Sequence, residues 1–315
     1  CIAIPVFDGG RVLNWTLQFR RDPQGFTQEE LETNLLTGNL FGAMTRNLVA
    51  LEQVGKLNER LNQQFEEVAR VQQSLLPKSA PSVPGLEFAA SYLTSAQAGG
   101  DYYDFFELGD GLLGLVIADV SGHGAGAATV MAMLHAILHS YPEASRNPAA
   151  VMSFVNQRLL AAQVDNSFVT AIFALYDVAS RELTFARAGH PLPRLRRADG
   201  TIEALEGNAG LPLGILEQEY EHQPVKLEPG DAVVFYTDGL TEAFTPEPRK
   251  EMFGVDGLDE AILAAGRSHE SAAGRGPRGS GLAAAILEQV MNAVNAHTGR
   301  KDRDDDQTLV VMGVT

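Results

Sequence analysis

The sequence predicts a layered domain of helices and antiparallel sheets, with a long helix and a strand hairpin ahead of it. Three observations carry this. After Pro84, apolar strand-like runs alternate with helix-like segments as far as Thr315. Several of those runs are separated only by short turns, which suit antiparallel pairing and not the long crossovers that parallel pairing needs. Before Pro77 lies a proline-free stretch, Leu40 to Leu76, whose apolar residues recur at heptad spacing.

Composition bounds what such a chain does. Its 315 residues suggest about two domains, and 45% hydrophobic with 20% charged residues fits a soluble globular protein with a sizeable core. Forty acidic residues against 24 Lys and Arg leave a formal net charge of -16, which disfavours nucleic acid or an anionic membrane as the main partner. Cys1 is the single cysteine, so no intrachain disulfide forms, and a reducing, cytoplasmic setting is the simpler expectation. No apolar run reaches the ~18 residues of a membrane span. The start Cys1-Ile2-Ala3 is neither a methionine nor a signal peptide, so a fragment is expected.

Taken in order, Ile2 to Phe7 and Val12 to Phe19 read as strands joined by Asp8-Gly9-Gly10. Thr27 with Glu30 three residues later is a capping box, and it opens a helix just after Phe26. Val54, Leu61, Val68 and Leu75 recur every seven residues, with Leu57 and Val71 at the intervening offset and Asn47 and Gln64 as polar members of the seam. This spacing predicts a parallel dimeric coiled coil over Leu40 to Leu76, ended by Pro77 and the Pro81 to Pro84 turn. A helix lying on its own domain would show a similar but wider stripe, and Phe65 widens this one locally.

Beyond Pro84, strands are expected at Leu86 to Tyr92, Leu112 to Ala118, Phe168 to Tyr176, Leu183 to Ala188, Leu192 to Arg196, Ile202 to Leu205, Val225 to Leu227, Ala232 to Tyr236 and Thr308 to Val314. Helices are expected at Ala125 to Tyr141 and Ala149 to Gln163, covering one sheet face, and near Leu258 to Ala265 and Leu282 to Ala296. Ala272 to Gly281, rich in Gly and Arg, reads as a mobile loop.

Aspartates mark the ends of these runs. Asp101 follows Gly99-Gly100, Asp119 follows Ala118, Asp238 follows Thr237, and Asp304-Asp305-Asp306 precede the last strand. Carboxylates gathered at a sheet edge repel one another and are costly without a cation. Spacing alone leaves two readings open, a hard-metal site and unrelated loop acids.

Here the residues carry a resemblance. Gln73-Ser74-Leu75-Leu76-Pro77, Gly99-Gly100-Asp101-Tyr102-Tyr103-Asp104-Phe105, Ala118-Asp119-Val120-Ser121-Gly122-His123-Gly124, Phe168-Val169-Thr170, Ala188-Gly189-His190-Pro191, Pro212-Leu213-Gly214, Tyr236-Thr237-Asp238-Gly239 and Asp305-Asp306-Gln307-Thr308-Leu309 stand in family order. Together, from about Gln73 to Thr315, they resemble a PPM-type metal-dependent serine/threonine phosphatase of the SpoIIE/RsbU-like bacterial branch. The resemblance implies an α+β fold, an αββα sandwich of two antiparallel sheets flanked by helices with metals at one edge. The first 39 residues resemble the C-terminal part of a GAF sensory domain, whose ligand-binding half would lie upstream. The expected division is therefore 1–39 sensor fragment, 40–80 linker helix and 81–315 phosphatase domain.

Carried over residue by residue, the resemblance implies two magnesium or manganese ions. Asp119 would bridge them, the Val120 carbonyl would be a neighbouring ligand, and Asp101, Asp238 and Asp305 would complete the shell. An activated water would then attack phosphorus without a covalent phosphoenzyme. Asp306 would lie outside the ligand shell, Asp104 would anchor a turn, and Asp302 and Asp304 read as a solvated charge run. Gln97 stands where the eukaryotic branch has a phosphate-gripping arginine. His123 is a candidate proton donor, one step off the family's spacing, and His190 reads as a turn-stabilising hydrogen bonder. The implied substrate is a phosphorylated anti-sigma-factor antagonist. A catalytically silent dimeric signalling module and a metal-dependent phosphodiesterase are the alternatives; the intact aspartate set disfavours the first and the acidic balance the second.

Overall fold

A computed structural model describes every residue except 9–10, 142–146, 164–166, 274–280 and 300–302. The chain divides into two units, Cys1–Gln64 and Phe65–Thr315. In the first, strands β1 (Ile2–Asp8) and β2 (Arg11–Gln18) pair antiparallel, with Ile2 opposite Gln18. Helix α1 (Gln28–Leu75) starts at the expected capping box: the Glu30 N–H donates to Thr27 Oγ1 at 3.3 Å, and the Thr27 N–H donates to Glu30 Oε2 at 2.8 Å. The hairpin lies on the first turns of α1. Ile4 is buried there, and Gly38 allows the approach, since a Cβ at that position would meet Ile4 at 3.4 Å.

Helix α1 continues unbroken past residues 39 and 40, where the sequence reading divided sensor from linker. Along its length Leu40, Val54, Leu57 and Leu61 are exposed. Among the described residues no helix is long and apolar enough to cross a membrane.

The second unit is built in layers, and strand alternation explains why. In chain order it contains β3 (Leu86–Leu93), β4 (Tyr102–Glu107), β5 (Leu112–Val120), α2 (Ala125–His139), α3 (Pro148–Ala162), β6 (Val169–Asp177), β7 (Glu182–Ala188), β8 (Arg194–Arg196), β9 (Ile202–Ala204) and β10 (Ala209–Gly210). It continues with β11 (Gln223–Lys226), β12 (Ala232–Tyr236), α4 (Asp238–Thr241), α5 (Gly254–Ala273), α6 (Leu282–Thr298) and β13 (Gln307–Val314). One sheet has the order β10-β7-β6-β5-β4 with β11 also on β7; the other has the order β3-β13-β12-β8-β9. The named strands of this unit pair antiparallel except the short β10 with β7, and one further parallel bridge joins Ala171 to Gly189.

Successive strand residues face opposite sides, so each sheet feeds two cores. Leu115 and Ile117 of β5 meet Val233, Phe235, Val310 and Met312 between the sheets. Val116 and Ala118 instead pack with Met131 and Leu134 of α2 and Val155 of α3. On the far side, Val234, Leu309 and Val311 pack with Leu258 and Ile262 of α5 and Ile286 and Val290 of α6. The result is the helix-sheet-sheet-helix sandwich expected from the sequence. The two central faces carry strand residues that alternate between apolar cores, which is why they read as near-continuous hydrophobic runs.

Three elements differ from the sequence reading. Asp101 does not end an apolar strand; it precedes β4, and Asp104, expected to anchor a turn, lies within that strand. The inward position of Asp104 is tolerated because Tyr102, His139 and the Phe105 N–H all engage its carboxylate. Strand β10 and helix α4 are too short to carry a periodic signal. The loop expected from Ala272 lies mostly outside the described residues, and Ala272 and Ala273 end α5.

Candidate metal centre

Antiparallel pairing fixes where the aspartates meet. In β4 and β5, Tyr102 is opposite Ala118, so Asp101 at the entry to β4 falls beside Asp119 at the exit of β5. In the other sheet Tyr236 is opposite Leu309, so Asp238 just after β12 falls beside the acids just before β13. Two hydroxyls join the sheets at this edge: Thr237 Oγ1 and Thr308 Oγ1 donate to Asp101 Oδ2 at 2.8 and 2.6 Å. These threonines were not singled out from the sequence, although both sit inside the quoted aspartate segments. Their role depends on a long-range pairing that no local pattern reveals.

Close backbone approach makes the edge compact. A Cβ on Gly100 would lie 2.6 Å from the Val120 carbonyl oxygen, and one on Gly239 would collide with the Asp306 carbonyl. A larger residue at Gly100 would push apart the segments entering β4 and leaving β5, and one at Gly239 those leaving β12 and entering β13.

Asp306 and Asp305 have different surroundings. Asp306 is buried, and its oxygens accept the Ser95 N–H at 2.8 Å, the Ser95 hydroxyl at 3.1 Å and the Gly100 N–H at 2.6 Å. Asp305 is exposed, and one of its oxygens accepts the Asp306 N–H at 2.8 Å. Asp306 thus braces the segment that carries Asp101, whereas Asp305 faces solvent with a free oxygen.

Electrostatics record the crowding. Burial, then the neighbouring Asp119 charge, hold the Asp101 carboxyl well above its ordinary range despite the two threonine donors. Burial, followed by the charges of Asp238, Asp305 and Asp306, pushes Asp119 up to about 7. Asp238 is raised chiefly by burial as well, and Asp305, although the residue reaches solvent, by the partial loss of hydration around its carboxyl group. Carboxylates that are partly buried and mutually repelling are an all-oxygen donor set, and this set fits a hard divalent cation. The donors contain no sulfur or imidazole, so they do not favour a zinc-type ion.

The remaining candidates fall around this edge. His123 is exposed, close enough to Asp305 for its charge to stabilise that carboxylate. It lines an open hollow of about 570 Å³ together with Phe65, Ser95, Gln97 and Gly124. Gln97 is exposed there and neutral, so the hollow lacks the guanidinium expected in the eukaryotic branch. His190 is buried, its Nδ1 lies 2.8 Å from Thr170 Oγ1, and burial lowers it to about 3, which keeps the ring neutral. Asp304 is exposed, and Asp302 is outside the described residues.

Comparison with known proteins gives a consistent set of matches. The family model described as Stage II sporulation protein E (SpoIIE) matches residues 109–315. The phosphoserine phosphatase RsbU of Bacillus subtilis is 35% identical over 193 residues, covering 60% of this chain and 56% of the relative. The chain thus spans little more than half the length of that protein. A crystal structure of the RsbU and RsbW domains of Rv1364c from Mycobacterium tuberculosis superimposes with a TM-score of 0.62 at 26% identity, covering 76% of this chain and 63% of that one. The SiaA-PP2C domain of Pseudomonas aeruginosa has the same fold, with a TM-score of 0.70 at 20% identity over 82% of this chain and 99% of that one.

Proposed function

Since the chain belongs to the SpoIIE family, we propose that it is a metal-dependent protein serine/threonine phosphatase acting on a phosphorylated regulatory protein. The observation that carries this is the convergence of Asp101, Asp119, Asp238 and Asp305 from both sheets onto one edge, in an all-oxygen set whose mutual repulsion calls for cations.

In this reading Asp101, Asp119, Asp238, Asp305 and the Val120 carbonyl would hold two ions, magnesium or manganese, with Asp119 as the shared ligand expected from the family resemblance. Such ions supply neutralisation of phosphate charge and acidification of water. The protein's own residues do the rest. Thr237 and Thr308 orient Asp101 through its Oδ2 and leave the other oxygen for a ligand role. Asp306, saturated by Ser95 and Gly100, sets the height of the Asp101 segment. The hollow lined by His123 and Gln97 would receive the phosphorylated segment, and His123 would give a proton to the departing serine oxygen. With Gln97 in place of a cation, phosphate is held mainly at the carboxylate edge.

We assign the rest of the chain by the same resemblance. Residues 1–39 would be the end of a GAF-like sensor, 40–80 a linker helix that pairs in a parallel homodimer, and 81–315 the phosphatase. Support for the pairing is the exposed seam of Val54, Leu57 and Leu61. The substrate class is a phosphorylated anti-sigma-factor antagonist, in keeping with the similarity to RsbU, and the setting is the cytoplasm. An assay of a phosphoserine protein, bis-(p-nitrophenyl) phosphate and an oligonucleotide, each with manganese and with EDTA, tests the reading. Manganese-dependent hydrolysis of the phosphoserine protein alone is expected. Turnover of the diesters instead would transfer the site to a phosphodiesterase.

A further inference from the structure

Away from the aspartate edge, β4 and α2 bring a second group of ligating side chains together. Asp104, His135 and His139 each offer one donor atom, and these atoms all lie within 4.8 Å of one another. The arrangement follows from local geometry: histidines four apart share one face of α2, and that face lies against β4. His139 Nε2 is 2.8 Å from Asp104 Oδ2, and His135 Nδ1 is 3.8 Å from the same oxygen. The other carboxylate oxygen accepts the Phe105 N–H at 2.8 Å, which fixes the group's orientation. The Tyr102 hydroxyl donates to Asp104 Oδ2 at 2.7 Å and lies 3.0 Å from His135 Nδ1. The carboxylate is buried, His135 is half-buried, and the His139 side chain is 45% exposed, so an ion could enter from the His139 side.

An ordinary hydrogen-bonded Asp-His pair would need only one imidazole. Here two ring nitrogens and a hydroxyl converge on one anchored oxygen, and the rings sit 4.2 Å apart. We propose that Asp104, His135 and His139 form a second cation site, separate from the aspartate edge, that takes a zinc-like divalent ion with solvent completing its shell. Two imidazoles and one carboxylate suit a borderline first-row ion, whereas the aspartate edge offers only hard oxygens. Ligand bonds of about 2.0–2.1 Å place tetrahedral donors roughly 3.3 Å apart, so the shorter separation must open slightly and the longer one close. Rotation of the exposed His139 ring provides the first change, and a small shift of the half-buried His135 ring toward Asp104 provides the second. Tyr102 would then orient the ligating carboxylate from outside the shell, as outer hydrogen-bonding groups do at metal sites.

The position of the site has a consequence. Asp104 lies on the strand that Asp101 enters, and α2 follows the loop that leaves Asp119 and Val120. An ion here would clamp together the two elements that flank the aspartate edge.

Cobalt is a suitable probe, because its visible absorption reports nitrogen ligation. The full chain, stripped with EDTA, is titrated with cobalt alongside His139→Gln, His135→Gln and Asp119→Asn variants, and competed with zinc or magnesium. The expected result is an absorbing cobalt complex that zinc displaces and excess magnesium does not. Affinity should fall by about tenfold or more in both histidine variants and stay unchanged in Asp119→Asn, which alters only the other site. Because His139 also engages the buried Asp104 carboxylate, the melting temperature of each variant in EDTA is compared with the parent's, so that lost ligation is read apart from any loss of stability. Unchanged cobalt absorption in the histidine variants, or its loss in Asp119→Asn, would overturn the site, as would the absence of an absorbing complex.

Discussion

The side-chain amide of Gln72 grips the backbone of Gly99 at both ends: Gln72 Nε2 donates to the Gly99 carbonyl at 2.5 Å, and the Gly99 N–H donates to Gln72 Oε1 at 3.1 Å. Gln72 is buried near the end of α1, and Gly99 stands two residues before Asp101. The final turn of the long helix is thereby pinned to the segment that carries a proposed metal ligand. Gln72→Ala leaves two buried backbone groups unpaired, which costs about 1–3 kcal/mol each where water cannot enter. Urea unfolding should therefore show a clear loss of stability, and manganese titration of activity should require more metal. Equal metal requirement in the variant and the parent would mean that the contact supports folding alone.

Asp119→Asn and Asp238→Asn should abolish nearly all manganese-dependent hydrolysis, because each removes a charge from the proposed ligand set. Metal-free thermal stability should hold or rise, since the same changes relieve repulsion among buried carboxylates. Calorimetry in EDTA beside a phosphatase assay separates the two effects. Undiminished turnover at limiting manganese in either variant would remove that residue from the centre.

The tandem acids before β13 should behave differently from each other. Asp305→Asn is expected to weaken manganese affinity far more than Asp306→Asn, whereas Asp306→Asn should cost more stability in EDTA. The reason is that Asp306 is already occupied by Ser95 and Gly100, and Asp305 has an oxygen to spare. Metal titrations and melts of both variants check the order, and a reversal would shift the ligand by one residue.

Metal-free stability should fall as pH rises. Asp119 has a folded value raised from 3.8 to about 7, so the folded state binds more protons than the unfolded chain across that interval. Stability then declines with rising pH until the folded group has ionised, the opposite of a salt-bridged aspartate. Melting temperatures in EDTA from pH 4 to pH 8 should show the decline. It should be smaller in Asp119→Asn and smaller with manganese present, because the cation favours the ionised form.

Like charges in the seam of α1 should prevent pairing. Val54 and Leu61 are exposed, whereas Val68 is half-buried in its own unit, so Val54→Glu with Leu61→Glu tests dimerisation without disturbing internal packing. Sedimentation should find a monomer that still requires manganese. A dimer of unchanged mass would show that chains do not pair through this stripe.

Much of this protein was legible in local patterns. The capping box at Thr27 and Glu30 opened α1 as expected, because its two hydrogen bonds lie within four residues. Apolar runs such as Leu115-Val116-Ile117-Ala118, alternating along the chain with helix-like segments and joined by short turns, carried the layered fold. Aspartates near the ends of apolar runs are conspicuous in one dimension, but it was the family resemblance, not spacing, that singled out Asp101, Asp119, Asp238 and Asp305 among them.

Other features were decided only in three dimensions. Strand β4 was hidden because Asp104, read alone, looks like a turn residue; Tyr102 and His139, the latter 35 positions away in sequence, make it acceptable inside a strand. The same is true of the division of labour between Asp305 and Asp306, which are neighbours of one type in sequence. Ser95, 211 positions away from Asp306, engages that carboxylate and leaves the other exposed. Hydrogen bonds of this range exist only once the sheets have paired, so the type of a residue shows what it could do, and its folded neighbours select which of those roles it fills.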